Sequence, residues 1–194
     1  MNLLPLDELN NLREEIQERF LLIPNPTAEQ RREFREWCED EILDLLLIAY
    51  TFGCEDANDM LGTEIAPTFK EMHNSIYKKV AGKDFAERIA EYAENGTLED
   101  IMRVAETDAH RVYNEATMNT ADEAYKETGK TIFKQWQTMM DDRVRDTHFY
   151  LEGVKVPLDA EFVTFDGDRA KAPGGFTKAE NNVRCRCVLG LSTE

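Results

Sequence analysis

The chain is 194 residues long, 42% hydrophobic and 32% charged, with 39 acidic against 23 basic side chains and a formal net charge of −16. Length and apolar fraction suit one domain, or one domain with a helical extension, and exclude wholesale disorder. The charge excludes a surface that coats DNA or an anionic membrane, because phosphate binding needs an excess of Lys and Arg. Residues 1–100 carry −13 of the total and residues 101–194 only −3, so the acidity belongs to the first half.

The segment Met1 to Glu8 has neither the basic stretch nor the long apolar core of an export signal. The most apolar stretch, Ile42 to Phe52, contains Asp44 and is about half the ~20 residues that span a bilayer. The expectation is a protein made and kept in the cytosol, or in something assembled there, with no membrane contact. The four cysteines are too few and too unevenly placed for a secreted disulfide framework. Cys38 and Cys54 lie in apolar helical contexts and are expected to be buried thiols.

In chain order, Leu9, Leu12, Ile16 and Phe20 recur at helical spacing up to the breaker Ile23-Pro24-Asn25-Pro26. Thr27-Ala28-Glu29-Gln30 fits a capping box, and the helix it opens is expected to stop at Gly53. Shorter helices are predicted from about Thr68 to Ala81 and from Asp84 to Glu94. A longer one runs from the Thr97 start toward Gly129, with Asn119-Thr120 as a candidate interruption. Phe34, Trp37, Phe52, Phe69, Phe85 and Tyr92 are expected in the core, and His73 and His110 at the surface or its boundary.

After Gly129 the texture changes. Thr131 to Thr138 alternates branched or aromatic residues with polar ones, which predicts a strand. Asp141-Asp142 predicts a short helix from Arg143 to Phe149. Extended pieces are expected at Val154–Val156 and Phe162–Phe165, turns at Gly153, Gly167 and Pro173-Gly174-Gly175, and an extended end from Val183 to Leu189. The fold class is therefore α+β, mainly helical: an acidic helical region over residues 1–96, then a long helix and a small turn-rich module with a short sheet over residues 97–194.

Trp136, Asp142-Arg143-Val144-Arg145, His148, Gly153, Glu161-Phe162, Pro173 and Cys185-Arg186-Cys187 follow one another in a fixed order over about fifty residues. Upstream stand Arg103-Val104-Ala105-Glu106 and Arg111-Val112-Tyr113-Asn114. This ordered set, over residues 101–189, resembles the phage Mu F-like family of minor head or head-morphogenesis proteins. Two positions depart from the pattern: Ala105 where the family usually has Thr, and Arg184 where Asn usually precedes the first Cys. The resemblance implies a bacteriophage or prophage minor head protein, present in a few copies inside the head near the portal and acting in assembly rather than catalysis. Its partners would be portal, capsid or scaffold protein of the same phage, met by the acidic helical half; direct DNA contact is not favoured. Some relatives continue past the cysteines into a toxin domain, whereas this sequence ends seven residues after Cys187 and is expected to carry none.

The residues themselves leave alternatives open. Two cysteines at i and i+2 on a strand would face one way, and with His148 and Asp142 or Asp146 could hold one structural zinc. Equally, Cys185 and Cys187 could be small core residues with His148 hydrogen-bonded nearby, and no cofactor. Arg143 and Arg145 could be ion-paired with Asp141, Asp142 and Asp146, or could join Arg184 and Arg186 in a phosphate site; neighbouring acids favour the former. The remaining alternative is a zinc-dependent or thiol-based enzyme acting on nucleic acid or protein through His148, Cys185 and Cys187.

Overall fold

Helix starts dominate the local structure. Four helices begin on a side chain that accepts from the N3 amide while the N3 side chain reaches back: Thr27 with Gln30, Thr68 with Glu71, Asp84 with Glu87, and Thr97 with Asp100. The computed structural model describes residues 6–21 and 25–193. Its helices are α1 (Leu6–Leu21), α2 (Ala28–Leu61), α3 (Phe69–Ile76), α4 (Phe85–Asn95), α5 (Leu98–Thr128), α6 (Asp146–Phe149) and α7 (Ala179–Asn182). Its strands are β1 (Ile132–Gln137), β2 (Lys155–Pro157), β3 (Phe162–Val163), β4 (Arg169–Ala170) and β5 (Val188–Thr193). The order β2-β1-β5 makes a three-stranded antiparallel sheet, and β3 pairs with β4. The chain is α+β and mainly helical, as its patterning predicts.

Several elements differ from the sequence expectation. The predicted break at Ile23-Pro24 lies outside the described residues. α2 does not stop at Gly53 but runs to a left-handed cap at Gly62, φ 65°. Gly53 serves close packing instead. A Cβ there would lie inside van der Waals distance of the Tyr113 carbonyl oxygen and 2.9 Å from the Ala116 Cβ, so α2 and α5 approach closely because Gly53 has no side chain. α5 passes through Asn119-Thr120 unbroken, because Thr120 is buried and the Asn119 amide donates to the Tyr50 hydroxyl. Predicted core residue Phe69 is 80% exposed at the first turn of α3. The helix expected from Arg143 shrinks to α6, because Asp141 spends its side chain on the Arg143 amide and its carbonyl on Val144, closing a turn instead.

Two apolar clusters share the α5 axis. One gathers Leu12, Ile16, Cys38, Ile42, Leu46, Phe85, Ile89, Ile101, Ala105 and Val112 from α1, α2, α4 and the first half of α5. The other gathers Ala121, Ala124, Trp136, Phe162, Phe176, Cys185, Cys187 and Leu189 from the second half of α5, the sheets and the loops that follow β4, with Ala57 of α2. From Asp108 to Asn114 every residue of α5 is buried, so the helix is enclosed on all sides, with α2 on one flank and the C-terminal loop on another. Among the described residues no helix is long and apolar enough to cross a membrane.

Candidate functional site

Strand alternation in β1 turns Ile132, Lys134 and Trp136 inward. Trp136, fully buried, is the hub: its ring lies 5.3 Å from His148, 5.1 Å from Phe162 and 5.6 Å from Phe176, edge-on to the first two. α6 delivers His148, the 162–182 segment delivers the phenylalanines, and the segment before β5 delivers the cysteines. Gly153, at φ 72°, returns the chain from α6 to the sheet by donating to the Trp136 carbonyl. Pro173 is buried in a loop that lies directly on α5; a Cβ at Gly174 would come 3.0 Å from the Arg111 Cα.

Cys185 and Cys187 are not on a strand. β5 begins at Val188, because the Cys187 carbonyl is taken by His110 Nε2 at 2.5 Å and Asn114 Nδ2 at 3.2 Å rather than by a neighbouring strand. Arg184 has φ 54°, in the left-handed region where Asn is enriched. Arg184 occupies it with its amide donating to the Thr107 hydroxyl and its guanidinium paired with Glu99 and Glu106.

Both thiols still reach one imidazole. His148 Nδ1 is 3.5 Å from each Sγ, and all three residues are buried. The neighbouring Cys187 thiol and His148 hold Cys185 well below the usual thiol range against its burial. Closeness to Cys185, with burial, pushes Cys187 up. Asp142 and Asp146 are exposed and stand outside this group.

Arg143, Arg145, Arg184 and Arg186 border one groove of about 640 Å³, together with Arg13, Glu99, Glu106 and His110. Arg186 grips Asp141 bidentately at 2.6 and 2.7 Å, which holds that carboxyl down at about 2. Arg13 pairs with Glu106 at 2.6 Å, and Arg145 donates to the Val183 carbonyl. Five arginines thus face three carboxylates.

Three residues of the site escape sequence reasoning. His110 is buried rather than superficial; desolvation lowers its pKa. The enclosure of α5 hides it, since a helix covered all round shows no polar face. Asp168 knots the 168–182 segment, accepting from the Thr177 amide and hydroxyl, the Lys178 amide and the Asn181 side chain. Burial pulls its carboxyl up, but Thr177, Asn181 and the two backbone amides outweigh it and hold it below the usual carboxylate range. Lys134 is fully buried with its Nζ unpaired, 5.5 Å from the Phe162 ring, and burial pushes it down to about 8.

Residues 66–190 match the family described as Phage Mu protein F like protein. The chain belongs to the phage Mu protein F like family. The match begins upstream of the motif-bearing stretch 101–189 and takes in α3 and α4. Over 130 residues this Mu F-like chain is 37% identical to the NAD(+)–arginine ADP-ribosyltransferase EFV of Enterococcus faecalis (strain ATCC 700802 / V583), covering 63% of this chain and 26% of that protein. Over 85 residues it is 34% identical to the minor head protein GP7 of Bacillus phage SPP1, covering 44% of this chain and 27% of that protein. The chain spans about a quarter of the length of these curated relatives. No solved structure matches it.

Proposed function

We propose that this Mu F-like chain is a minor head protein of a bacteriophage or prophage, assembled into the virion head and acting in head morphogenesis near the portal. The observation that carries the reading is where the family motif is spent. Trp136, His148, Phe162, Pro173, Cys185 and Cys187 all turn inward, and Asn114 holds the Cys187 carbonyl. They fasten the C-terminal module and leave partner recognition to the outer surfaces. Similarity to a minor head protein supports the same role.

The docking surface we assign is the acidic face of α2. Glu29, Glu33, Glu36, Asp40, Asp44, Glu55 and Asp59 are exposed and recur at near-helical spacing along 34 residues, about 50 Å. A basic surface on portal, capsid or scaffold protein is its natural complement, giving a contact that weakens with salt. Catalysis is not part of the proposal. Cys185 is 3% exposed at the edge of the arginine groove, and an ADP-ribosyl transfer activity is not carried to a region that a minor head protein also resembles.

Co-expression with the portal and capsid proteins of the encoding phage tests the assignment. The chain should be captured by one of them, and E29K/E33K/E36K/D40K should abolish capture while the melting temperature stays within a few degrees. Full-strength capture by the folded variant would refute the α2 face. Deleting residues 1–100 is a poorer test, because it removes half of a shared core.

A further inference from the structure

We propose that His148, Cys185 and Cys187 form a zinc site, the ion being held by Nδ1 and the two Sγ atoms. The three donor atoms lie within 4.8 Å of one another. Zn–S bonds of about 2.3 Å and Zn–N bonds of about 2.05 Å at the tetrahedral angle place S and N about 3.6 Å apart. The structure sets both sulfurs 3.5 Å from Nδ1, so the nitrogen already stands from each sulfur at the spacing a shared ion requires.

The donors are held from both sides. On the α5 side, His110 and Asn114 fix the Cys187 carbonyl and Thr107 fixes the Arg184 amide. On the α6 side, Arg145 holds the Val183 carbonyl, and Trp136 and Phe176 flank the His148 ring at 5.3 and 5.4 Å. Such a pre-formed cradle loses little entropy on binding a metal. The charge also suits the place. Zinc displaces the protons held by the two sulfurs and the imidazole to solvent, and two thiolates with a neutral imidazole then cancel the dication, so no net charge is left buried. Metal on Nδ1 leaves the proton on Nε2, a nitrogen that is buried here with no partner.

A void of about 10 Å³ adjoins His148 and Cys187, bordered also by Met139, Arg143, Arg145, Arg184 and Arg186, with room for about one water to complete the coordination. Two sulfurs and one nitrogen select zinc over magnesium or calcium, which take oxygen donors. The role is a structural one, tying the end of the chain to α6 across the hub tryptophan. It is independent of the head-assembly reading.

The test is elemental analysis of the full chain, purified untagged under reducing conditions without added metal. About one zinc per chain is expected, falling at least tenfold in C185S/C187S. Because that variant can fail to fold, the unaltered protein is also stripped with a chelator and titrated with cobalt(II). A thiolate-to-cobalt charge-transfer band should saturate at about one equivalent, and zinc, not magnesium, should raise the melting temperature. Zinc retained by C185S/C187S would overturn the proposal. So would a stripped protein that gives neither band nor thermal shift, or a Cys185–Cys187 disulfide in the purified protein.

Discussion

Trp136 touches His148, Phe162 and Phe176 at once, and the second apolar cluster closes around it. W136A should cost about 3–5 kcal/mol and W136F roughly 1–3 kcal/mol, because phenylalanine refills part of the void; urea unfolding gives both. At Gly53 the opposite error applies. G53A pushes a methyl into the α5 backbone and should cost about 1–3 kcal/mol although alanine is the better helix former, and an unchanged midpoint would sink the close-approach account. Lys134 should behave as a stored penalty. Its folded pKa of about 8 lies below its unfolded value, so the stability it withholds is missing below pH 8 and recovered as pH rises toward about 10. K134M should therefore stabilise the protein by about 1–3 kcal/mol at pH 7, an advantage that shrinks by pH 10. Sequence reasoning saw Trp136 and the cysteines because they stand in an ordered motif. It passed over Lys134 because a lysine in an alternating strand is expected on the polar register.

At the scale of elements, starts were more legible than ends. Capping chemistry is local, so Thr27 and Thr97 announce α2 and α5 from a few residues. Stops depend on what lies opposite. Gly53 has the composition of a stop, yet the contact with Tyr113 that explains it is sixty residues away in sequence. The segment from 168 to 182 was the least legible. Its order comes from one buried carboxylate rather than from apolar periodicity, and turn residues gave only the bends at Gly167 and Pro173-Gly174-Gly175. That carboxylate sets a pH dependence. Asp168 is held below its unfolded value, so its contribution is fully present above about pH 4 and lost progressively as pH falls below that, down through its lower folded value. D168N should unfold at lower urea than the unaltered protein at pH 7, and the difference between them should narrow by pH 3. A gap that stays constant would mean that the Asp168 charge contributes nothing.

For the whole molecule, the division by charge and the division by packing do not coincide. The shift in acidity falls near residues 97–100, whereas α5 belongs to both apolar clusters and the family match starts at residue 66. A composition shift reports on surface, and a core reports on interior, so the sequence shows the first without the second. We propose that the acidic helices and the motif-bearing module work as one body, with the motif holding the inside and the α2 face meeting the partner. The most direct test is the composition of the head itself. In procapsids purified from cells producing the encoding phage, quantitative mass spectrometry should find this chain co-sedimenting with portal and capsid proteins, at few copies per portal. Its absence from procapsids and mature heads, while the protein accumulates free in the same lysate, would contradict a role in head assembly.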